Sequence, residues 1–471
     1  MRGALLAASA LALSGCAGGP PPEVATPTPV LPPVFLYAPD AQTEADLDAL
    51  LPQDDPAFRT LAAQALESSP TLAEAIARID QARAGAARAG AERLPSIGAN
   101  GSVTATRTNP AQFGGALPPG IQLDTDQISY AANVSARWDP DVFGRLRAQQ
   151  RAALARIDAA DASARAVRNA LLAEIAASVI DWRTLAARQA EIENDIASAQ
   201  ELARLAGVRE RAGIAPGFDR VRAESAAASS RSRLAGLESE RARLIGRLVT
   251  LSAQGGAQVR SALAMGAMDD ALPAPPAFLP SSLLSNRPDV LAAAATLAAE
   301  DAELAATARR RFPVFDLSAA IGLLAFDPGD LFDEDSIIGS LAAAVAGPLF
   351  DFGRIDAEID GAAAEKRAAF QAYRGAVFTA LGDAEAAYGL VAAADAEAAA
   401  ADAEAASLQR AARLAETRQE AGLADFLTVL EARRAADASG ERAAAAQGRA
   451  KRARVLLWQA LGGDAADAPG Q

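Results

Sequence analysis

Cys16 is the only thiol in the chain, and no histidine accompanies it. Those two facts remove most catalytic and metal-binding vocabulary: a Cys/His zinc site, a Ser-His-Asp triad and an intrachain disulfide are all out of reach. Neither a P-loop nor a nucleotide-type glycine fingerprint occurs. The sequence therefore predicts no enzyme, no metal and no cofactor. The chemistry left to Cys16 is acylation. Met1-Arg2-Gly3 gives a short basic start, Ala4 to Leu13 an apolar run, and Leu13-Ser14-Gly15-Cys16 a small-residue cut with the form of a bacterial lipobox. The run is far shorter than the ~20 residues a membrane helix needs. Residues 1–15 thus read as a removable signal peptide, and Cys16 as the lipidated first residue of the mature chain. An unmodified cysteine in an ordinary signal peptide is the competing reading.

Ala17 stands where an aspartate keeps many such lipoproteins on the inner membrane, which points to the outer membrane of a Gram-negative envelope. Carboxylates are the other abundant ionisable groups, 59 Asp and Glu against 45 Lys and Arg, for a net charge of -14. Nucleic-acid duplexes and anionic lipid surfaces repel such a chain, so nucleic acid is not an expected partner.

What positions these groups is an internal repeat. The run from Gly144 to Arg211 appears again from Gly353 to Glu420, each copy free of proline and rich in Ala, Leu, Arg, Glu and Gln. These are the best helix formers. Apolar residues recur at three- and four-residue steps, as in Leu171, Ile175, Trp182 and Leu185 or Ile355, Ile359, Phe370 and Val377. A helix of roughly 68 residues is about 100 Å long, more than an ordinary globular core needs. Present twice, such helices suit the staves of a fibre or tube. The alanine content fits both plain helix propensity and close approach between neighbours.

The remaining boundaries follow from Pro and Gly punctuation. A Pro-rich tether covers 16–55. A first repeat over 56–252 holds a helix, a β-hairpin (96–138), a long helix (144–212) and a further helix (218–251). A connector over 253–278 leads to a second repeat over 279–462, with hairpin 314–349, long helix 353–421 and helix 424–461, before a tail at 463–471. Within each hairpin the residues alternate: Ile128, Tyr130, Ala132, Val134, Ala136 and Trp138 oppose Ser129, Asn133, Ser135 and Arg137. The strands have the ~9–11 residues of a tilted membrane strand, or slightly more. Tyr130, Trp138, Phe315 and Phe326 are candidates for an aromatic girdle, burial against a neighbouring strand being the alternative. Four strands cannot close a barrel, and lipid does not tolerate an open sheet edge. Two copies give eight strands, too few for an open channel, and three give twelve, so a homotrimer is the smallest assembly with an aqueous lumen.

In this order, and duplicated, the elements resemble the TolC-type outer-membrane efflux family, in the lipoprotein branch serving resistance-nodulation-division pumps. The marks are Asn286-Arg287-Pro288-Asp289-Val290, the helix to Arg311-Phe312-Pro313, and the turns Arg211-Ala212-Gly213-Ile214-Ala215 and Glu420-Ala421-Gly422-Leu423-Ala424. The resemblance implies a mainly α fold with a membrane β-barrel part: a trimeric channel-tunnel of twelve strands on an α-helical barrel. It further implies docking to a periplasmic adaptor and an inner-membrane pump, with turns at Gly213 and Gly422 forming the periplasmic tip. Carried over residue by residue, Asp219 and Glu431 fall on acidic positions after the turns, where the family closes its pore; the family usually has aspartate at the latter. Asp425 lies nearby and matches less well. Three carboxylates on a symmetry axis repel one another and attract cations. A solvated charge at a helix N-terminus is the other reading of each acid. The implied function is a passive exit duct for small toxic compounds. A duct for type I protein secretion, and a lipid-anchored periplasmic scaffold or adaptor without a pore, are the alternatives.

Overall fold

The computed structural model describes residues 22–39, 47–109, 125–214, 216–267 and 271–463. Cys16 lies outside them. The helices are α1 (Pro56–Ser68), α2 (Pro70–Ala91), α3 (Arg145–Arg211), α4 (Phe218–Ser252), α5 (Gly256–Leu263), α6 (Leu283–Asn286), α7 (Pro288–Ala308), α8 (Arg354–Glu420) and α9 (Phe426–Ala460). The strands are β1 (Ser96–Arg107), β2 (Asp126–Trp138), β3 (Val314–Ala325) and β4 (Ile337–Ala346). Both long helices start the same way. A glycine at positive φ, Gly144 or Gly353, precedes each. An aspartate before that glycine then accepts from the first free amides: Asp141 from Leu146 and Arg147 (2.8 Å each), Asp351 from Ile355 (2.9 Å).

The chain divides into two compact units. One, built from 1–27, 80–158 and 295–371, carries a single antiparallel sheet in the order β1-β2-β3-β4. Its register lines up the apolar positions of all four strands. Val103 pairs with Tyr130 and Tyr130 with Ala325; Ala99 pairs with Val134, Val134 with Ile321, and Ile321 with Gly339. Paired residues share a face, so Ile97, Val103, Ile128, Val134, Leu317, Ile321, Ile337, Leu341 and Val345 form one apolar surface. That surface is open: Ile97 is 75% exposed and Leu341 85%. The opposite face carries Asn100, Ser102, Asn133, Ser135 and Ser318, with an Arg137–Asp316 ion pair at 2.5 Å. β1 and β4 are the open edges. Beside the sheet, α7 and α8 bury Leu304, Ala308, Ile355 and Ile359 against each other, and Phe143 stacks on Phe312 at 4.7 Å.

The other unit, built from 28–79, 159–294 and 372–471, is helical. Its core joins Leu61, Ile175, Val179, Leu248, Leu263, Tyr388 and Trp458. Asp55 caps α1 by accepting from Ala57 N–H at 2.8 Å and is also gripped by Arg183 at 2.9 and 3.1 Å. Arg183 spends its remaining donors on the carbonyls of Leu263 and Met265, ending α5 in the same place.

Several expected bounds shift. The connector contains α5, an eight-residue helix that buries Val259 and Leu263. β4 stops at Ala346 and not at Leu349, because Gly347-Pro348 follows and proline has no amide for the ladder. The tether is not free along its length: Phe35 is buried with its ring centroid 5.4 Å from that of Tyr388, and Leu36 N–H donates to Glu385 at 3.0 Å.

Because Asp55 is fully buried, Arg183→Ala leaves a carboxylate without its counter-charge. A loss of about 3–5 kcal/mol is expected, read from denaturant unfolding of the detergent-extracted protein; a loss below 1 kcal/mol would mean that water reaches Asp55.

Candidate functional site: the paired helix turns

The turns at Gly213 and Gly422 are one motif used twice. After α3, Gly213 N–H donates to Glu210 C=O (2.9 Å) and Ile214 N–H to Arg209 C=O (3.0 Å). After α8, Gly422 N–H donates to Gln419 C=O (2.9 Å) and Leu423 N–H to Arg418 C=O (2.7 Å). This Schellman pattern needs a residue at positive φ, and the two glycines sit at 73° and 74°. It also places an apolar residue directly after each glycine. Ile214 and Leu423 are 70% and 69% exposed, and Phe218 and Val221 are exposed nearby.

The turns are braced by ion pairs. Arg220 of α4 reaches back to Glu210 of α3 (2.8 Å) and along its own helix to Glu224 (2.9 Å). The Glu210 carboxylate also covers Gly217, so a Cβ there would push that side chain aside. Across the second turn, Arg433 of α9 pairs with Glu416 of α8. The starts of α4 and α9 pack together: Phe426 and Leu430 are buried against Ala199, Ala206, Ala223 and Ala227.

The three acids singled out from the sequence have different surroundings. Asp219 is half-buried in the first turn of α4, making no ion pair among the described residues. Glu431 is exposed on α9, with Arg222 of α4 3.8 Å away, so it bridges the two helices that follow the turns. Asp425 is the N-cap of α9: its carboxylate accepts from Thr428 N–H (2.8 Å) and Thr428 Oγ (2.5 Å). The Thr428 hydroxyl, then its amide, hold the Asp425 pKa below the usual carboxylate range. Sequence reasoning missed Arg222 and the exposed apolar residues. The repeated Ala-Gly-Ile-Ala and Ala-Gly-Leu-Ala was their signal.

The aromatic candidates fall at the two ends of the sheet. Trp138 and Phe315 sit where the strands meet the helices; Trp138 donates from Nε1 to Arg93 C=O at 3.0 Å, and Phe315 lies 6.3 Å from Phe143. Tyr130 pairs with Ala325, next to exposed Phe326, toward the opposite end. Among the described residues no cluster of His, Cys, Asp and Glu has metal-holding geometry.

A model described as outer membrane efflux protein matches residues 61–254 and 279–463. The chain is 31% identical over 411 residues to the pyoverdine export outer membrane protein OpmQ of Pseudomonas aeruginosa, covering 87% of this chain and 85% of that protein. It is 28% identical over 420 residues to the toluene efflux pump outer membrane protein TtgI of Pseudomonas putida, covering 87% and 86%. Among solved structures, the outer-membrane channel OprN superposes with a TM-score of 0.81 at 24% identity, over 94% of this chain and 98% of that one, which speaks for the fold. The outer membrane protein VceC of Vibrio cholerae gives 0.78 at 26% identity, over 86% and 96%.

Asp425→Ala should fray the start of α9, raising hydrogen exchange at the Thr428 amide severalfold without unfolding the protein. In the unaltered chain the cap should persist above the ordinary carboxylate pKa and fail only as pH falls through the lowered one. Unchanged exchange in the variant would show that the cap does not hold the helix start.

Proposed function

The chain belongs to the outer membrane efflux protein family, and from that premise we propose a passive exit duct for small toxic compounds, lipid-anchored in the outer membrane as a homotrimer. A periplasmic adaptor and an inner-membrane resistance-nodulation-division pump deliver its cargo. The observation that carries this reading is the sheet, with one unbroken apolar face across four strands and two unpaired edges. In lipid those edges need partners, and three copies supply twelve strands, enough for a lumen behind the polar face. Outer-membrane lipid covers the apolar face. Tyr130 and Trp138 are separated by about 27 Å of strand at ~3.4 Å per residue. Tilted by ~40°, that is about 20 Å of depth, within the ~25 Å apolar band. Tyr130 and Phe326 thus serve one water boundary, Trp138 and Phe315 the other.

At the turns, Ile214, Phe218 and Leu423 are the surface offered to the adaptor, and Asp219 and Glu431 the acids that ring the closed pore. Asp425 is left to cap α9. With Glu431 bridged to Arg222, the glutamate's extra reach fastens α9 to α4 as well as lining the opening. Cys16 carries the acyl anchor. The names of the relatives, which export pyoverdine or toluene, favour small compounds over polypeptide cargo.

Native mass spectrometry in mild detergent should give a trimer whose subunits begin at Cys16 with added acyl mass. In planar bilayers, the double variant Asp219→Ala/Glu431→Ala should show higher conductance and a weaker preference for cations than the unaltered trimer. A monomer that does not conduct would remove the duct and favour the scaffold.

A further inference from the structure

Further along the helices from the turns, α3, α4 and α9 meet at a cluster of buried charge that the exit-duct reading leaves without a task. Asp195 of α3 is almost fully buried, and its Oδ2 accepts from Ser230 Oγ and Arg233 Nη2 of α4, each at 2.5 Å. Arg233 also reaches Glu441 of α9 (2.8 Å), which takes Arg188 of α3 (2.9 Å). Asp437 lies one turn before Glu441 on α9 and faces Asp195. Its Oδ2 is buried and finds no donor. Glu191 of α3 faces the same spot, and Arg433, the cation on α9 whose charge acts on Asp437, is already paired with Glu416 of α8. The helices also approach closely here: a Cβ at Gly440 would lie 2.6 Å from Glu191 Oε2.

An aspartate oxygen without a donor, set against a second aspartate whose oxygen is already bonded twice, is a costly arrangement if both are ionised. One proton between them removes the repulsion and supplies the missing hydrogen bond. We propose that Asp437 and Asp195 form a proton-operated latch that holds α9 on α3 and α4 when one proton is shared and releases it when that proton leaves. The idea rests on the exit-duct reading, since a latch matters only if α9 has to move. α9 begins directly after the second turn, so its release loosens the tip.

The direction with pH follows. Burial, then the charge of Asp195, push the Asp437 pKa up to about 7. A released Asp437 returns to the ordinary carboxylate value. The packed arrangement therefore binds a proton that the released one gives up. It is favoured at low pH and lost as pH rises through about 7.

The test is the pH dependence of channel closure for the purified full-length trimer in planar bilayers, with Asp437→Asn and Asp195→Asn beside the unaltered protein. Between about pH 6 and pH 8 the closed-to-open ratio of the unaltered protein should fall about tenfold. Asp437→Asn should hold the low-pH ratio throughout, because its amide donates to Asp195 without titrating. Asp195→Asn removes the facing charge but leaves the burial of Asp437, so its pH response should be weaker than that of the unaltered protein, and the unaltered protein alone decides if neither variant assembles. A conducting trimer with a flat ratio, or an Asp437→Asn trimer that keeps the full pH response, overturns the latch and leaves the duct standing. A protein that conducts at neither pH overturns the duct, and the latch with it.

Discussion

A sheet that turns one face to hydrocarbon must give every edge N–H and C=O a partner, because lipid offers none. That constraint governs this chain. β1 and β4 leave two rows of backbone groups unpaired, beside an apolar face far too large for a soluble monomer to expose. Register is what makes the face continuous: a one-residue slip between β2 and β3 would set Trp138 beside Asp316 or Ser318 and take Val134 off Ile321. The helical parts answer another demand, that long rods pack without a wide apolar stripe. Alanine, glycine and serine do this by closeness, as where Gly440 lies under Glu191 or Ser439 is buried on α9.

Much of this architecture was legible in the chain itself. The long helices match expectation within a residue at each end, because Gly144, Gly353, Gly213 and Gly422 punctuate them and no proline interrupts. The hairpins were legible because alternation over 10–13 residues has only one sheet reading. Short or context-dependent features were not. α5 hides in a segment whose Gly, Ala and Pro content reads as loop, and it is held by Val259 and Leu263 reaching a core built from other helices. The same holds for the tether: nothing near Phe35 in sequence shows that Tyr388 waits for its ring.

The candidate site was legible in part. Its glycines follow from backbone conformation alone, and the exposed Ile214 and Leu423 follow from the motif's repetition. The acids did not sort themselves. Asp425, three residues before Thr428, has the spacing of a capping aspartate, and the structure uses it as one. Arg222 beside Glu431 required knowing that α4 and α9 pack together. The Asp195–Asp437 cluster lay further out of reach, since its members come from three helices and any of them alone reads as a solvated charge.

The buttoning of Phe35 onto Tyr388 has a mechanical meaning. An acyl chain at Cys16 would pull on the protein through the intervening residues, and the first buried side chain the load meets in the helical unit is this ring, backed by the Leu36 amide on Glu385. Load borne there in shear falls on α8, whose Tyr388 is itself fastened by its hydroxyl to Pro276 C=O at 2.8 Å. Such an anchor would be a strap riveted to a stave, and a tug on the leaflet would strain the rivet before it reached the turns.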